Sequence, residues 1–489
     1  MPSLELRGQR VLVAGLGVSG SAAAAALRAV GAEVTTVDER APGADHAHAS
    51  EVDLGTVDLV VASPGWPPSS PLLREAVSRG VPVWSEVELA WNLRAERPGR
   101  GPAPWLVLTG TNGKTTTVGM LEQILLAAGE RAVAVGNVGT PVVEVVTDPT
   151  VDVLAVELSS FQLHFTSTMA PQAAAILNIA PDHLDWHGDL DAYVQDKARI
   201  YQGTELACVY AVDDPRLERL VRDADVAEGA RAVGITLGAP VPGQLGLVDG
   251  ILVDRVFHAP ADHPHRTRSA AELATLEDLA ALAGPDGRLA PHVVQDALTA
   301  AALARAHGVP ASAVRDGLRA YRSGMHRIEH VATVGGVGFV DDSKATNAHA
   351  AGASLAAFPP GSVVWIAGGL AKGAEFDELV RDRADRLRAV VLIGLDERPW
   401  QEALTRHAPA IPVIRIDPAE TGSVMTRAVT EAQRLSLPGD TVLLAPAAAS
   451  MDQFVSYADR GEAFARAARM LPGAVPAASG RGASAGADQ

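Results

Sequence analysis

The chain has 489 residues, of which 47% are hydrophobic, and a formal net charge of −17 at pH 7. This length allows roughly three domains with large cores, and the negative charge argues against binding to nucleic acid or to an anionic membrane surface. Because Cys208 is the only cysteine, no internal disulfide bond can form, and we expect a reducing compartment. No segment resembles a signal peptide or a membrane span, which predicts a soluble, cytoplasmic protein.

The first predicted unit begins near the N-terminus with a strand, a glycine-containing loop and a helix. The strand covers residues 10–14, the loop is Gly-Leu-Gly-Val-Ser-Gly at 15–20, and a second strand over 33–37 ends at Asp38. Glycines permit a tight turn and a close approach of the backbone to a diphosphate at the helix N-terminus. The arrangement is typical of sites for NAD or FAD. It also suits the diphosphate of another nucleotide, or a turn that binds no ligand.

A third strand over residues 59–62 ends in a rigid loop that contains Gly65, at the same edge of the predicted sheet. The proline- and glycine-rich stretch 98–104 is typical of a linker. These features predict a first Rossmann-like domain over residues 1–102.

An octapeptide, Thr-Gly-Thr-Asn-Gly-Lys-Thr-Thr at 109–116, is the most specific motif of the chain. A buried strand precedes it, and a helical pattern begins at Lys114. Backbone N–H groups and a helix dipole then meet at one point, which suits a polyphosphate. Lys114 would neutralise phosphate charge, and the Thr115 hydroxyl would suit Mg²⁺. A strict Walker A loop has glycine in place of Leu108, and a strand–helix turn with a solvated lysine is the alternative. The motif predicts ATP binding.

Polar residues follow two later strands of this central block. Glu157 ends a predicted strand over residues 151–156, and His183 follows the next strand. Because the C-terminal ends of parallel strands line the ligand crevice, a carboxylate here is placed to hold Mg²⁺, and His183 could be a ligand or a substrate contact. From their surroundings alone, Lys197 is predicted to be an exposed helix lysine and Asn137 a turn residue.

The last third of the chain predicts a second doubly wound sheet, with strands near residues 337–340, 363–367, 389–393 and 441–445. Polar loops follow the first two of these strands, as a second substrate site requires. Residues 228–290 are rich in Gly, Pro and Asp and predict irregular hairpins and loops. We expect a central domain over 103–323, a C-terminal domain over 324–471 and a disordered tail over 472–489.

Several motifs occur in the order in which the Mur ligases carry them, and the chain resembles that family. They are Thr109–Thr116, Glu157–Gln162, Asn178 with Asp182 and His183, Met325–Glu329, and Asp342–Asn347. The glycine loop and the second and last of these motifs are most similar to those of the D-glutamate-adding members. The resemblance spans nearly the whole chain. It implies an α/β fold of three domains: an N-terminal Rossmann-like UDP-binding domain, a central P-loop-type ATPase domain and a C-terminal Rossmann-like domain.

The resemblance also implies a reaction. ATP would phosphorylate the terminal carboxylate of UDP-N-acetylmuramoyl-L-alanine, and the amine of D-glutamate would attack the acyl phosphate to give an amide, ADP and phosphate. Two Mg²⁺ ions are implied: Thr115 and Glu157 would hold one, and His183 and Lys197 the other, with Lys197 as a carbamate (N6-carboxylysine). The implied catalytic residues are Lys114, Glu157, His183 and Lys197.

By resemblance, three groups of residues would bind the three substrates. The group for ATP is Gly110, Thr111, Asn112, Gly113, Lys114, Thr115 and Thr116, with Arg327 and Asp342. The group for the UDP substrate is Gly15, Leu16, Gly17, Val18, Ser19, Gly20, Asp38, Gly65, Asn137 and His183. The group for D-glutamate is Thr346, Lys372, Ser450, Met451 and Phe454.

One motif departs from the family pattern, because the usual His-Asn-x-x-Asn near the adenine base is His-Val-Val-Gln-Asp at 292–296. Asp296 could still accept a hydrogen bond from an amino group. Other functions remain open at this point: another Mur ligase, a folylpolyglutamate synthase, an NAD-dependent dehydrogenase or a non-catalytic UDP-sugar-binding module. A dehydrogenase would leave the phosphate loop unused. Sites on three domains favour a monomer that works by domain closure.

Overall fold

A computed structural model describes residues 6–137, 139–260, 262–283, 288–322, 326–371, 373–418 and 421–476 of the protein. The predicted site residue Lys372 and the motif residue Met325 lie outside these ranges. The chain divides into two compact units. The first comprises Met1–Ala281 and Pro291–Arg322, and the second comprises Leu282–Ala290 and Ser323–Gln489.

The first unit begins with a small parallel sheet. Its strands are β1 (Arg10–Ala14), β2 (Glu33–Val37), β3 (Leu59–Ala62) and β4 (Val83–Ser85), and its helices are α1 (Val18–Ala29), α2 (Pro71–Ser78) and α3 (Glu86–Asn92). The strand order is β2-β1-β3-β4, and all pairs are parallel. The first three strands occupy the residues predicted for them, because each is a short aliphatic or β-branched run between turn residues.

A nine-stranded sheet forms the rest of the first unit. Its strands are β5 (Trp105–Thr109), β6 (Ala132–Gly136), β7 (Val153–Glu157), β8 (Ala173–Ile176), β9 (Ala207–Ala211), β10 (Arg231–Ile235), β11 (Gln244–Val248), β12 (Ile251–Asp254) and β13 (Ala271–Thr275). Its helices are α4 (Lys114–Ala127), α5 (Val142–Val145), α6 (Ser160–His164), α7 (Leu184–His187), α8 (Leu190–Ala198), α9 (Pro215–Arg222), α10 (Pro291–His307) and α11 (Ala311–Ala320).

The strand order of this sheet is β13-β12-β11-β10-β9-β8-β5-β7-β6, so β5 lies between β7 and β8. These three strands are parallel. The loop after β5, the residues at the end of β7 and the segment after β8 therefore leave the sheet at one edge, as the sequence predicts for the phosphate loop, Glu157 and His183.

The hairpins expected over residues 228–290 are present, but their strands are regular and belong to the central sheet, so the expectation of irregular structure is wrong for much of this segment. β10 pairs in parallel with β9, and β11, β12 and β13 continue the sheet as an antiparallel meander. Asp249 and Gly250 join β11 to β12, with φ angles of 48° and 79°. Asp-Gly is a preferred pair for a two-residue hairpin turn, because both positions need positive φ. That dipeptide was the sequence signal for this hairpin.

The second unit contains a seven-stranded sheet. Its strands are β14 (Glu329–Val334), β15 (Val337–Asp341), β16 (Val363–Gly368), β17 (Leu387–Ile393), β18 (Val413–Arg415), β19 (Thr441–Leu444) and β20 (Ala474–Pro476). Its helices are α12 (Ala348–Ala356), α13 (Asp377–Arg383), α14 (Arg398–His407), α15 (Val424–Leu435) and α16 (Tyr457–Arg469). The order is β18-β17-β16-β19-β15-β14-β20, and only the pairs that involve β14 are antiparallel among the described residues. A hydrophobic core covers each face of the sheet.

The prediction of a disordered tail over residues 472–489 is wrong for the first residues of that segment. Residues 474–476 form β20, which pairs with the otherwise open edge of β14. An unpaired edge strand offers a row of N–H and C=O groups, and a short extended segment satisfies them even when its composition favours disorder. Residues 477–489 lie outside the described residues. Among the described residues, no helix combines the length and apolar character that crossing a membrane requires.

Two buried glutamates of α3 join the two sheets of the first unit. Glu88 accepts hydrogen bonds from the backbone N–H groups of Ser167 and Thr168, at 2.8 and 3.1 Å, and from the Thr168 hydroxyl at 2.6 Å. Glu86 accepts one bond, from the N–H of Val143 at 2.6 Å. These bonds fix the small parallel sheet to two segments of the nine-stranded sheet, one after Asn137 and one after Glu157.

Candidate active site

Asp38 organises the glycine loop of the first sheet. Its Oδ2 accepts the N–H of Leu16 at 2.6 Å, and bonds from Leu16 and Arg40 hold the pKa of Asp38 below its usual range. Ser63 Oγ donates to the Gly15 carbonyl at 2.8 Å. A Cβ atom at Gly20 would stand 1.8 Å from that same carbonyl oxygen, so this position requires glycine. The predicted UDP loop is therefore a tight turn at the start of α1, with an ionised carboxylate behind it.

The phosphate loop lies between β5 and α4 and is tied to the segment after β8. Asn112 N–H donates to Asn178 Oδ1 at 2.9 Å, and Asn178 Nδ2 donates to the Asn112 carbonyl at 3.1 Å. Lys114 Nζ donates to the carbonyl oxygens of Gly110 and Thr111 at 2.9 and 3.0 Å. The lysine thus lies along its own loop, at the start of a 14-residue helix. This is the geometry expected of a cation that meets a polyphosphate.

Lys197 is buried at this loop, so the expectation of an exposed lysine is wrong. Its side chain lies in α8 with 2% of the residue exposed, and Nζ donates to the Gly110 carbonyl at 3.0 Å and to Thr109 Oγ1 at 3.3 Å. Burial, followed by the charge of Lys114, lowers the pKa of Lys197 well below its ordinary value. The family resemblance had placed Lys197 in the active site, whereas the pattern of α8 carries no such signal.

Tyr193 is a neighbour that the sequence analysis missed. Its ring lies 4.7 Å from Lys197 Nζ, and its hydroxyl lies 2.9 Å from Thr111 Oγ1. Tyr193 is four residues before Lys197 on α8, so both side chains face the phosphate loop. The four-residue spacing of Tyr193 and Lys197 was the available signal in the sequence. It places Tyr193 at the phosphate loop only once Lys197 is known to point toward that loop.

Glu157 is a buried carboxylate with one oxygen paired and one unpaired. It is 1% exposed, at the end of β7, where it stands in register with Leu108 of β5. Asn137 Nδ2 donates to Oε1 at 2.9 Å, which makes Asn137 a partner of Glu157 rather than a simple turn residue. Among the described residues, Oε2 is buried and has no hydrogen-bond partner. A buried anionic oxygen without a donor fits a site for a cation, because leaving it unpaired is unfavourable.

His183 lies after β8 in a left-handed conformation, with φ of 55°, immediately before α7. Its Nε2 is 3.6 Å from Asp182 Oδ2, and its ring meets Phe161 edge to face at 4.7 Å between centroids. Phe161 belongs to the motif that begins at Glu157. The structure therefore brings two of the predicted motifs together, since the ring of one packs on a ring of the other.

Asp196 is the centre of a buried polar cluster that sequence reasoning missed. Its oxygens meet the Nδ1 atoms of His164 and His187 at 2.8 and 2.9 Å, and Arg199 Nε lies 3.3 Å away. Burial raises the pKa of Asp196, but the two histidine bonds outweigh it and hold the value at about 2. His187 Nε2 also pairs with Ser160 Oγ at 2.9 Å. The cluster ties α6, α7 and α8 together, so it fixes the helix that carries Lys197.

Asp296 lies against the phosphate loop. A Cβ atom at Gly113, whose φ is 83°, would stand 2.5 Å from Asp296 Oδ1, and Asp296 is 4% exposed. Asp296, which stands where the family motif has its second asparagine, therefore lies beside the phosphate loop.

In the second unit, a strained turn carries Arg327. Its neighbours His326 and Ile328 have φ angles of 64° and 47°. His326 Nδ1 lies 2.6 Å from Asp341 Oδ2, and the His326 N–H donates to Glu329 Oε2 at 2.9 Å. One ligand atom from each of these three residues lies within 4.8 Å of the others, as in a metal cluster. Because the Asp341 bond raises the pKa of His326, we assign the cluster to hydrogen bonding that holds the turn.

Asp342 is buried directly after β15. Burial raises its pKa to about 6, against a bond from the Ser354 hydroxyl and the charge of Arg327. The two predicted ATP contacts of this unit, Arg327 and Asp342, are therefore electrostatic neighbours. A carboxyl with this pKa can exchange a proton near neutral pH.

The predicted acceptor residues lie on loops that leave one edge of the second sheet. Thr346 follows β15 and Ser450 follows β19, and these strands are parallel neighbours. Ser450 is buried, Met451 is 70% exposed, and Phe454 is half-buried against the core. Tyr457, which the sequence analysis missed, lies at the start of α16, and its hydroxyl accepts a bond from Lys344 Nζ at 3.1 Å.

Two family models match the chain. The Mur ligase middle domain matches residues 108–238, and the Mur ligase, glutamate ligase domain matches residues 326–448. Together they cover 254 residues, that is 131 and 123, more than half of the chain.

Relatives match over nearly the full length. The UDP-N-acetylmuramoylalanine–D-glutamate ligase of Streptomyces avermitilis is 57% identical, covering 95% of this chain and 99% of the relative. The ligase of the same name from Streptomyces coelicolor is 55% identical, covering 96% of this chain and 100% of the relative.

Solved structures share the fold at low identity. The MurF ligase of Thermotoga maritima in complex with ADP has a TM-score of 0.54 and 18% identity, with 95% of each chain covered. The UDP-N-acetylmuramate–alanine ligase of the same organism has a TM-score of 0.53 and 16% identity, covering 94% of this chain and 98% of that one.

Proposed function

The chain belongs to the Mur ligase family, and we propose that it joins D-glutamate to UDP-N-acetylmuramoyl-L-alanine, a step of peptidoglycan precursor synthesis that converts ATP to ADP and phosphate. Full-length relatives that bear the name of this activity support the choice of substrates. The glycine loop with its ionised Asp38 supports a nucleotide-linked substrate on the first sheet.

One observation carries the proposal: two lysines and a buried carboxylate meet at the phosphate loop. Lys114 Nζ and Lys197 Nζ both donate to the Gly110 carbonyl, at 2.9 and 3.0 Å. Glu157 ends the neighbouring strand in register with Leu108 and keeps one buried oxygen unpaired among the described residues. A simple nucleotide-binding loop needs one lysine. A ligase that activates a carboxylate must also stabilise the negative charge that develops during phosphoryl transfer, which requires further charged groups at the same point.

The chemistry follows from the weakness of a carboxylate as an electrophile. An oxygen of the substrate carboxylate attacks the γ-phosphorus of ATP, the bond from that phosphorus to the β-bridging oxygen breaks, and ADP leaves. The amine of D-glutamate then attacks the acyl carbon, loses a proton, and phosphate departs. Lys114 would offset the negative charge of the transferring phosphoryl group, and the family resemblance gives Arg327 a contact to the ATP phosphates.

We propose that the site takes two Mg²⁺ ions. Thr115 and Glu157 would hold one, and the unpaired buried oxygen of Glu157 supports this choice. His183 and Lys197 would serve the other. When bound, Mg²⁺ would neutralise phosphate charge and polarise the reacting oxygens. The protein's own contribution is to hold these side chains, and Asn137 does so for Glu157 through Oε1.

We also propose that Lys197 is carbamylated. The lowered pKa leaves more of the amine unprotonated, and that form attacks the carbon of CO₂, forms an N–C bond and releases one proton. The product is an anion. It would replace the repulsion between Lys197 and Lys114 by attraction, and it would supply oxygen ligands to a metal ion. A ¹³C NMR signal from protein in ¹³C-bicarbonate that disappears in Lys197→Ala would support the carbamate, and an unchanged spectrum would refute it.

The remaining assignments follow the substrate order. The residues at 110–116 with Asp342 would contact ATP, the glycine loop with Gly65, Asn137 and His183 would contact the UDP substrate, and Thr346, Lys372, Ser450, Met451 and Phe454 would contact D-glutamate. We further propose domain boundaries near residues 102 and 323, and a monomer in the cytoplasm, where ATP is available and Cys208 stays reduced.

Phosphate release tests the function. Purified protein with Mg²⁺, ATP and UDP-N-acetylmuramoyl-L-alanine should release phosphate when D-glutamate is added and should respond little to L-glutamate. Glu157→Gln is the matched control, with a strongly reduced rate expected, because it keeps the size of the side chain and replaces the carboxylate by an amide. Absence of any D-glutamate-dependent release by the wild-type protein would refute the substrate assignment. Release with L-alanine or glycine in its place would indicate another Mur ligase activity.

A further inference from the structure

Arg460 is a fully buried arginine on the first turns of α16, with 0% of the residue exposed. Its Nε donates to Ser343 Oγ, its Nη2 to the Ser343 carbonyl and its Nη1 to the Ala448 carbonyl, each at 3.0 Å. Burial lowers the pKa of Arg460 to about 10, so the guanidinium remains charged at neutral pH. A planar fork with several fixed donors can join two backbone segments in this way, and an ammonium group cannot.

The two segments are the loops after β15 and β19, which leave the same edge of the second sheet. A direct bond from the Ala447 N–H to the Ala345 carbonyl, at 2.9 Å, also joins them. The loop after β16 joins them too, because Leu370 N–H donates to the Ala449 carbonyl at 2.8 Å. Three loops therefore meet around one guanidinium.

The loop after β19 has little means of holding its own shape. Its residues 445–449 are Ala-Pro-Ala-Ala-Ala, so no side chain there can donate or accept a hydrogen bond. Ala447 has φ of 57°, a left-handed conformation that is unfavourable for a residue with a Cβ atom. Bonds to the backbone groups of this loop must therefore fix it, and Arg460 supplies one of them from within the core.

The same helix turn also holds the loop after β15. Ser343 Oγ donates to the Tyr457 carbonyl at 2.7 Å, and Lys344 Nζ lies 4.2 Å from the centre of the Tyr457 ring. Tyr457 is three residues before Arg460. The start of α16 thus determines where Lys344 and its neighbour Thr346 stand relative to Ser450.

We propose that Arg460 is a positioning residue for the acceptor amino acid: it fixes the loops that bear Thr346 and Ser450 at the separation that D-glutamate requires. This inference rests on the proposed function. Arg460 acts through the backbone of Ser343 and Ala448 and does not touch the substrate. Formation of the acyl phosphate needs no amino acid, so Arg460 should matter for the second half of the reaction and little for the first.

The test compares the two half-reactions in Arg460→Lys, which keeps the charge and loses the fork. The first half is measured without amino acid, by trapping the acyl phosphate with hydroxylamine, which attacks the acyl carbon and releases phosphate. We expect a rate within about twofold of wild type, and a KM for D-glutamate raised about tenfold or more, because displacement of a group by about 1 Å can cost up to about 100-fold. KM for ATP should stay unchanged.

Two further variants sharpen the result. Ser343→Ala removes one partner of the fork and should raise KM for D-glutamate in the same direction. Arg388→Lys is the matched control, because Arg388 Nη2 pairs with Asp440 Oδ1 at 3.0 Å at the opposite edge of the same sheet. It should leave KM for D-glutamate unchanged.

An unchanged KM for D-glutamate in Arg460→Lys overturns the inference. So does a parallel loss of both half-reactions with a lost thermal transition, since the arginine would then serve only the stability of the unit. Failure of the proposed function itself is distinct: the wild-type protein would then show no dependence on D-glutamate at all.

Discussion

Replacing Glu86 by glutamine should stabilise the protein at neutral pH. Burial raises the pKa of Glu86 from 4.5 to about 7, and only one of its oxygens has a partner, the Val143 N–H, among the described residues. A tenfold change in proton affinity corresponds to about 1.4 kcal/mol, so a rise from 4.5 to about 7 amounts to about 3 kcal/mol. The unfolded chain ionises Glu86 freely, whereas the folded protein resists its ionisation.

The sign of the pH dependence follows from proton linkage. Between pH 4.5 and about 7 the folded state binds the proton and the unfolded state has released it, so the free energy of unfolding falls as pH rises. The stabilising contribution of the proton is fully present below pH 4.5 and is lost through pH 7. Glutamine is neutral throughout. Glu86→Gln should therefore gain about 3 kcal/mol near pH 8 and almost nothing near pH 4.

Urea unfolding at several pH values, followed by tryptophan fluorescence, measures this difference. Glu88→Gln is the matched control two residues away. Its carboxylate faces the N–H groups of Ser167 and Thr168, so an amide would set donor against donor and lower stability by about 1–3 kcal/mol. A Glu86→Gln protein no more stable than wild type at pH 8, or with the same gain at pH 4, would refute the reasoning.

Three further substitutions test the candidate site. Lys197→Ala should abolish nearly all turnover without rescue by bicarbonate, because it removes the buried amine at the Gly110 carbonyl; a fully active variant would contradict the carbamate role. Gly20→Ala should raise KM for the UDP substrate and leave KM for ATP unchanged, because the new Cβ would stand 1.8 Å from the Gly15 oxygen. Steady-state kinetics with each substrate varied in turn shows which site is affected. Glu157→Gln should raise the Mg²⁺ concentration needed for half of the maximal rate. A magnesium titration that matches wild type would argue against a metal at this carboxylate.

The sequence predicted the fold best where a strand with a clear hydrophobic pattern directly precedes a functional motif. The phosphate loop follows a fully buried strand, and the glycine loop follows a strand that is buried after its first residue, so each motif lies at the predicted strand end. After β10 the sequence predicted hairpins but not that their strands extend the central sheet, because these strands lack the helices that mark a parallel unit. The Asp249–Gly250 dipeptide was the local sequence signal for the β11–β12 hairpin.

The candidate site was less accessible, because its side chains act through partners distant in sequence. Lys197 meets Gly110 and Thr109, which are 87 and 88 positions away. Arg460 meets Ser343 at a separation of 117 positions. On their own helices both residues look like ordinary cations. Neither periodicity nor composition distinguishes a lysine that points into a sheet edge from one that points into water.

The bonding at the phosphate loop also bears on the proposed binding of phosphorylated substrates by an acidic chain. Away from the site, arginines pair with carboxylates that cancel their charge, as Arg131 does with Asp152 at 2.9 Å. At the phosphate loop, Lys114 instead donates to the main-chain carbonyl oxygens of Gly110 and Thr111, which orient the cation. A net charge of −17 repels an anion at long range. At contact distance, Lys114 and the N-terminus of α4 supply local positive potential, so the proposed binding of a phosphate depends on the groups at this strand end and not on the composition of the chain.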